Sequence, residues 1–307
     1  MNNLNAIGRV FFAIPIVIFG IQYLGYGRFV RGLPPMPPWA PGGAVGAYLT
    51  GALLVAAGVC ILANVQVRLS ATLLGAFCFV CVVALHTMRL TRVIHQGDER
   101  TGALEALALA ASAWVLAGSS PVGARVFHGW QPFTEVLGKV GLCLFAFSML
   151  IFGVQHFMYA AYIATLIPAW MPAHLFLTYF TGVAFIAAAI AIATRIQARL
   201  GAGLLGLMFL LWTILLHAPR VFAHIHNKDE LTSLFVALAM SGGSFIVAGA
   251  YQIQERECAR LSGEEGSFSR GDCRRQSGGG VLTDQKSRAG CSNSIPTLVN
   301  PALGSPT

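Results

Sequence analysis

Residues 7–27 read IGRVFFAIPIVIFGIQYLGYG, with Arg9 as the only charge in the run. A helix rising about 1.5 Å per residue needs roughly 20 such residues to cross ~30 Å of hydrocarbon. In lipid the backbone must satisfy its own hydrogen bonds, which makes helix the expected state. Arg9 followed by an apolar stretch also suits a leader peptide, but no small-x-small cleavage site follows it. Ile18-Phe19-Gly20-Ile21-Gln22 returns in mid-chain as Ile151-Phe152-Gly153-Val154-Gln155, where no leader can stand. We read the first run as a retained span.

Seven further apolar runs follow, at 44–63, 69–90, 102–118, 138–158, 173–194, 200–218 and 231–252. The fourth, beside Glu99 and Arg100 and containing Glu105, is the least apolar. The chain is 56% hydrophobic and 10% charged, with a mean hydropathy of +0.68. A soluble domain carries about 25% charged residues, so these charges are too few to hydrate a water-soluble particle. The expected fold is an all-α membrane protein of about eight transmembrane helices, with the lipid bilayer as its first partner.

The net charge of +8 comes without a basic helix or an aromatic-interleaved patch, so nucleic acid is not the expected partner. Anionic lipid beside cytoplasmic loops is the simpler reason for the excess. Seven cysteines form no evenly spaced disulfide framework: Cys60, Cys78, Cys81 and Cys143 lie in apolar runs, and Cys258, Cys273 and Cys291 follow them. The first four read most simply as small buried residues.

The recurrence extends far beyond five residues. A shift of 131 aligns 48–118 with 179–249 without a gap, and 26 of the 71 pairs are identical. His86 meets His217, Arg89 meets Arg220, His95 meets His226, and Asp98-Glu99 meets Asp229-Glu230. Shared apolar composition would match Leu, Ala and Val, not these residues. The first helix aligns with a shift of 133. The chain is therefore a duplicated parallel four-helix unit: 7–118, a linker at 119–137, 138–252, and a tail over 253–307. Four spans is an even number, so both copies cross in the same sense, related by a pseudo-two-fold axis. The tail is rich in Gly, Ser and Arg and has no hydrophobic period, which predicts disorder.

Lys and Arg on the side holding the N-terminus number 13 with the tail and 8 without it, against 7 on the other side. The positive-inside rule then places both termini in the cytoplasm of a cell-membrane protein. The connections after spans one and five carry Pro34-Pro35-Met36-Pro37-Pro38-Trp39 and Pro168-Ala169-Trp170-Met171-Pro172. They read either as interfacial or re-entrant segments, or as Trp and Pro marking the membrane boundary.

Polar residues inside spans are costly without a partner, so they mark candidate sites. Gln22, Tyr23, Gln155 and His156 lie near the outer ends of spans one and five. His86, Arg89, His217 and Arg220 lie at the outer ends of spans three and seven, and the spacing of three puts each His–Arg pair on one helix face. Together they predict a polar cluster at the outer mouth of each unit, suited to an anionic or carbonyl-bearing group such as a quinone oxygen. A purely structural account has the arginines snorkelling to the interface and the glutamines bonding a neighbouring helix.

His224-x-His226 with nearby carboxylates lacks a recognised ligand spacing, and no metal is expected there. A haem would need His86 and His217 to face each other. Cys78-x-x-Cys81 has the form of a dithiol motif, but it lies mid-span, where a thiolate is disfavoured, and its counterparts are Phe209 and Trp212. Glu105 has Val236 as its counterpart.

Phe-Gly-x-Gln in a first helix, Thr50-Gly51 opening a second, and Leu85-His86-x-x-Arg89 closing a third resemble DoxX-like membrane proteins. That grouping includes the DoxD subunit of thiosulfate:quinone oxidoreductase. The resemblance covers about residues 7–252, as two tandem modules. It implies an accessory subunit of a quinone- or thiol-linked membrane redox system, with quinone as cofactor and a redox protein as partner. It transfers no catalytic residue. A small-solute permease lined by Gln22 and Gln155 and a non-catalytic scaffold are the alternative readings.

Overall fold

The computed structural model describes residues 3–30, 32–87, 97–120, 131–224 and 227–265. Eight helices are long and apolar enough to span a membrane. They are built on α1 (Asn3–Tyr26), α2 (Gly43–Leu62), α3 (Val67–Cys81), α4 (Gly97–Ser119), α5 (Gln131–Met158), α6 (His174–Thr194), α7 (Ala198–Trp212) and α8 (Lys228–Glu265), with the third span running on to His86 and the seventh to Ala223. A short helix, Ala160–Thr165, lies between α5 and α6. Among the described residues there is no strand, and the chain is an all-α multi-pass membrane protein. Met1–Ile253 forms one compact unit and Gln254–Thr307 a second, of which only the end of α8 is described. The tail expected to be disordered otherwise lies outside the described residues.

Helix boundaries differ from the sequence reading where proline permits. α5 begins at Gln131, inside the segment read as linker, because Pro132 sits in its first turn, where its missing N–H has no helical acceptor to lose. The seventh span continues past 218 through a helix at Ala218–Ala223, with Pro219 again in a first turn.

The duplication is visible in the backbone. Asn64 and Gln66 adopt left-handed conformations between α2 and α3, and Arg195 and Gln197 repeat them between α6 and α7. α3 widens to a π-helix over Val82–His86, and α7 does so over Thr213–His217, 131 residues later. Pro219 stands where the first copy has Met88, so the widening does not require proline.

Close contacts repeat as well. A Cβ on Gly20 would lie 2.7 Å from the Gly51 carbonyl, and one on Gly153 would lie 2.9 Å from that of Gly182, its counterpart. Between copies the pattern is reciprocal. Gly8 of α1 packs on Gly242 and Ile246 of α8, while its counterpart Gly141 of α5 packs on Ala111 and Val115 of α4. The first helix of each copy thus rests against the fourth helix of the other. Gly243 meets Ser112, and these two are each other's counterparts, so α4 and α8 cross on the pseudo-two-fold axis.

These two helices form the centre. Within the membrane window 78% of α4 and 61% of α8 is buried by protein, against 28% to 44% for the other six. α4 is solvated mainly by other helices, which is why it tolerates the lowest hydropathy. The outward faces of α2, α6 and α7 carry exposed Leu49, Val59, Phe176, Phe180, Ile190, Leu204 and Leu211, the surface a bilayer would cover.

Arg68 ties three helices together: its guanidinium donates to Thr134 Oγ1 at 2.8 Å and to the Ser120 carbonyl at 2.5 Å. Its counterpart Arg199 is exposed. Charged hydrogen bonds of this kind contribute about 1.5–3 kcal/mol each, and exposed ones about 0–1. Arg68→Ala is expected to destabilise the protein by roughly 2–4 kcal/mol, measured as thermal unfolding in detergent, with Arg199→Ala near wild type. Equal losses from the two would refute the assignment.

Candidate functional site

The candidate residues occupy two mouths that have diverged. In the first copy the Pro-rich loop folds down over the helix ends: Phe29, Leu33, Pro34, Pro35, Pro37 and Ala40 are buried. Tyr23, fully buried, donates its hydroxyl to the Leu33 carbonyl at 2.6 Å and accepts from the Met36 amide at 3.2 Å. His86 Nε2 lies 3.3 Å from the Pro35 carbonyl. Tyr23 and His86 are thus brought together through residues 33–36, and both hold the loop. Gln22 turns away from them and donates to Thr232 Oγ1 of α8 at 3.1 Å, a contact with the other copy. Arg89 lies outside the described residues, as do His95 and His226.

The second mouth is arranged differently. The segment after α5 is largely exposed, including Tyr162, Leu166 and Trp170. His174 Nε2 takes the Pro168 carbonyl at 3.1 Å, and Arg220 donates to the Leu166 carbonyl at 2.5 Å. His156, the counterpart of Tyr23, keeps its Nδ1 against the Phe152 carbonyl at 2.8 Å and stacks on Trp212, with ring centroids 6.2 Å apart and planes 22° apart. Phe185 and Phe209 complete an aromatic group around Trp212. Trp212 lies five residues before His217, so the ends of α5 and α7 are neighbours. Gln155 Nε2 and His217 Nδ1 are buried atoms with no hydrogen-bond partner among the described residues.

A cation–aromatic pair flanks each mouth. Lys228 Nζ lies 4.6 Å from the Tyr26 ring centre, and the Arg100 guanidinium lies 5.5 Å from that of Tyr159, the counterpart of Tyr26. In each, the ring comes from the outer end of the first span of one copy, Tyr159 being the residue after α5, and the cation from the fourth helix of the other.

Sequence reasoning named Gln22, Gln155 and the histidines as candidates but noted Trp212 only as the counterpart of Cys81 and passed over Phe185; both shape the second mouth. Trp212 had one available sign: it stands where the first copy has a thiol. Comparison with protein-family models, with curated proteins and with solved structures found no match.

Proposed function

We propose that this is a DoxX-like protein of the cell membrane, both termini cytoplasmic, that binds quinone at its second mouth as an accessory subunit of a membrane redox system. One observation carries this reading. Gln155 Nε2 and His217 Nδ1 are buried atoms with no hydrogen-bond partner among the described residues, on the same two spans that carry the His156–Trp212 stack. A quinone headgroup is a flat apolar ring with carbonyl acceptors. It matches aromatic faces flanked by a few polar atoms, and buried polar atoms left unpaired are costly until something bonds them. The apolar packing of Phe12, Phe19, Phe145 and Ile246 at the bundle centre favours a binder over a permease.

Lipid extracts of the purified protein are expected to contain quinone, and Gln155→Leu and His217→Ala to lose most of it. Wild-type quinone content in both variants, or none in the wild type, would remove this function while leaving the fold intact.

A further inference from the structure

The two copies act as internal controls for each other, and their largest chemical difference lies one turn below the first mouth. Where the second copy fills the space with Phe209 and Trp212, the first has Cys78 and Cys81. Both thiols are free and buried, Cys78 at 0% and Cys81 at 4% exposure. Residues three apart on a helix share a face. The overlying loop delivers a third sulfur: Met36 Sδ lies 3.4 Å from Cys81 Sγ. Tyr23 holds the Met36 amide in place, accepting from it at 3.2 Å.

We propose that Met36, Cys78 and Cys81 form a three-sulfur site for one soft monovalent cation, Cu(I). Among the described residues no three His, Cys, Asp or Glu side chains converge to hold a metal, so the donor set here is two thiols and a thioether. Thiol and thioether donors select Cu(I) over the harder divalent ions. A metal at ~2.3 Å from each sulfur, as for zinc thiolates, puts the sulfurs roughly 4 Å apart, close to the 3.4 Å between Met36 Sδ and Cys81 Sγ.

Charge balance suits the surroundings. As the ion enters, one thiol releases a proton, so a site with one thiolate, one thiol and one thioether stays neutral, and burial in apolar surroundings is not opposed by net charge. The sulfurs also form a route. Met36 is partly exposed at the mouth, Cys81 lies beneath it, and Cys78 is one turn deeper. The second copy has aromatic rings at both thiol positions, so the expected stoichiometry is one ion per chain.

The site does not depend on the quinone reading, and each can fail alone. The test is titration of the reduced, anaerobic, full-length protein with Cu(I) against the chromophoric chelator bicinchoninate, with copper X-ray absorption counting the sulfur ligands. Expected are one tightly held ion and three sulfurs. Cys78→Ser and Cys81→Ser should each weaken binding by at least the ~10–100-fold that follows loss of an outer partner of a metal ligand. Met36→Leu, a change of similar volume in the loop of the first mouth, should lower the sulfur count to two while leaving retained quinone unchanged. Replacing Cys60, Cys143, Cys258, Cys273 and Cys291 together with Ser should leave the stoichiometry at one. A wild type that binds no Cu(I), a Met36→Leu protein with three sulfurs and wild-type affinity, or loss of the ion with those other five cysteines would each overturn the proposal.

Discussion

Severed within the segment that joins its two copies, the protein will stay assembled: residues 1–125 and 126–307, co-expressed as separate chains, are expected to copurify in detergent. The reason is the reciprocal packing. α1 rests on α8 through Gly8 and Gly242, α5 rests on α4 through Gly141 and Ala111, and Gly243 meets Ser112 on the axis. None of these contacts depends on a covalent connection between the copies. In a membrane, helices associate through close packing of small residues and interhelical hydrogen bonds, because lipid is as apolar as leucine. Both elements are present here, the second as Gln22 to Thr232. A half expressed alone would expose the small-residue face of α4 or α8, and it is expected to aggregate or pair with itself. Two halves that each purify as stable monomers and do not associate when co-expressed would contradict the reciprocal arrangement.

The largest single-residue effect is expected at Gly242. A Cβ there would lie 2.6 Å from the Phe11 carbonyl carbon and 2.8 Å from the Gly8 carbonyl oxygen. Both are backbone atoms, so neither can yield by changing rotamer. Overpacking a core costs about 1–3 kcal/mol where side chains can move, and Gly242→Leu is expected to reach or exceed the top of that range. Ala111 is the counterpart of Gly242 and is fully buried, so Ala111→Leu should behave similarly. Gly203 has nothing within 4 Å of a built Cβ, so Gly203→Leu serves as the control. Thermal unfolding in detergent is the measurement. Indistinguishable midpoints for Gly242→Leu and Gly203→Leu would show that α1 and α8 do not approach as described.

The candidate site was less legible in the sequence than the helices. The shift of 131 placed His86 and His217 at equivalent positions, and the structure places them so, each closing a π-helical segment. It did not reveal that His86 meets the Pro35 carbonyl while, in the second copy, His174 takes the corresponding loop's Pro168 carbonyl. Alignment of identical residues points to what the copies share. The differences lie at helix positions such as Cys78 and Cys81 against Phe209 and Trp212, and in the loops, where the alignment has its two-residue offset and helical periodicity gives no guidance. Met36 is one such case: nothing local in its sequence places a thioether above Cys81.

Sequence by itself determined the membrane class, the number of spans and the duplication, because these follow from how each segment is solvated and from identities at a constant shift. The weak hydropathy of the fourth span was also visible there, but only the tertiary structure explained it, since α4 is surrounded by protein and not by lipid. The structure likewise decided which helices meet across the copies, which mouth its own loop closes, and that Met36 meets Cys81. Those outcomes depend on shape complementarity between segments far apart in the chain, a property that no single segment carries.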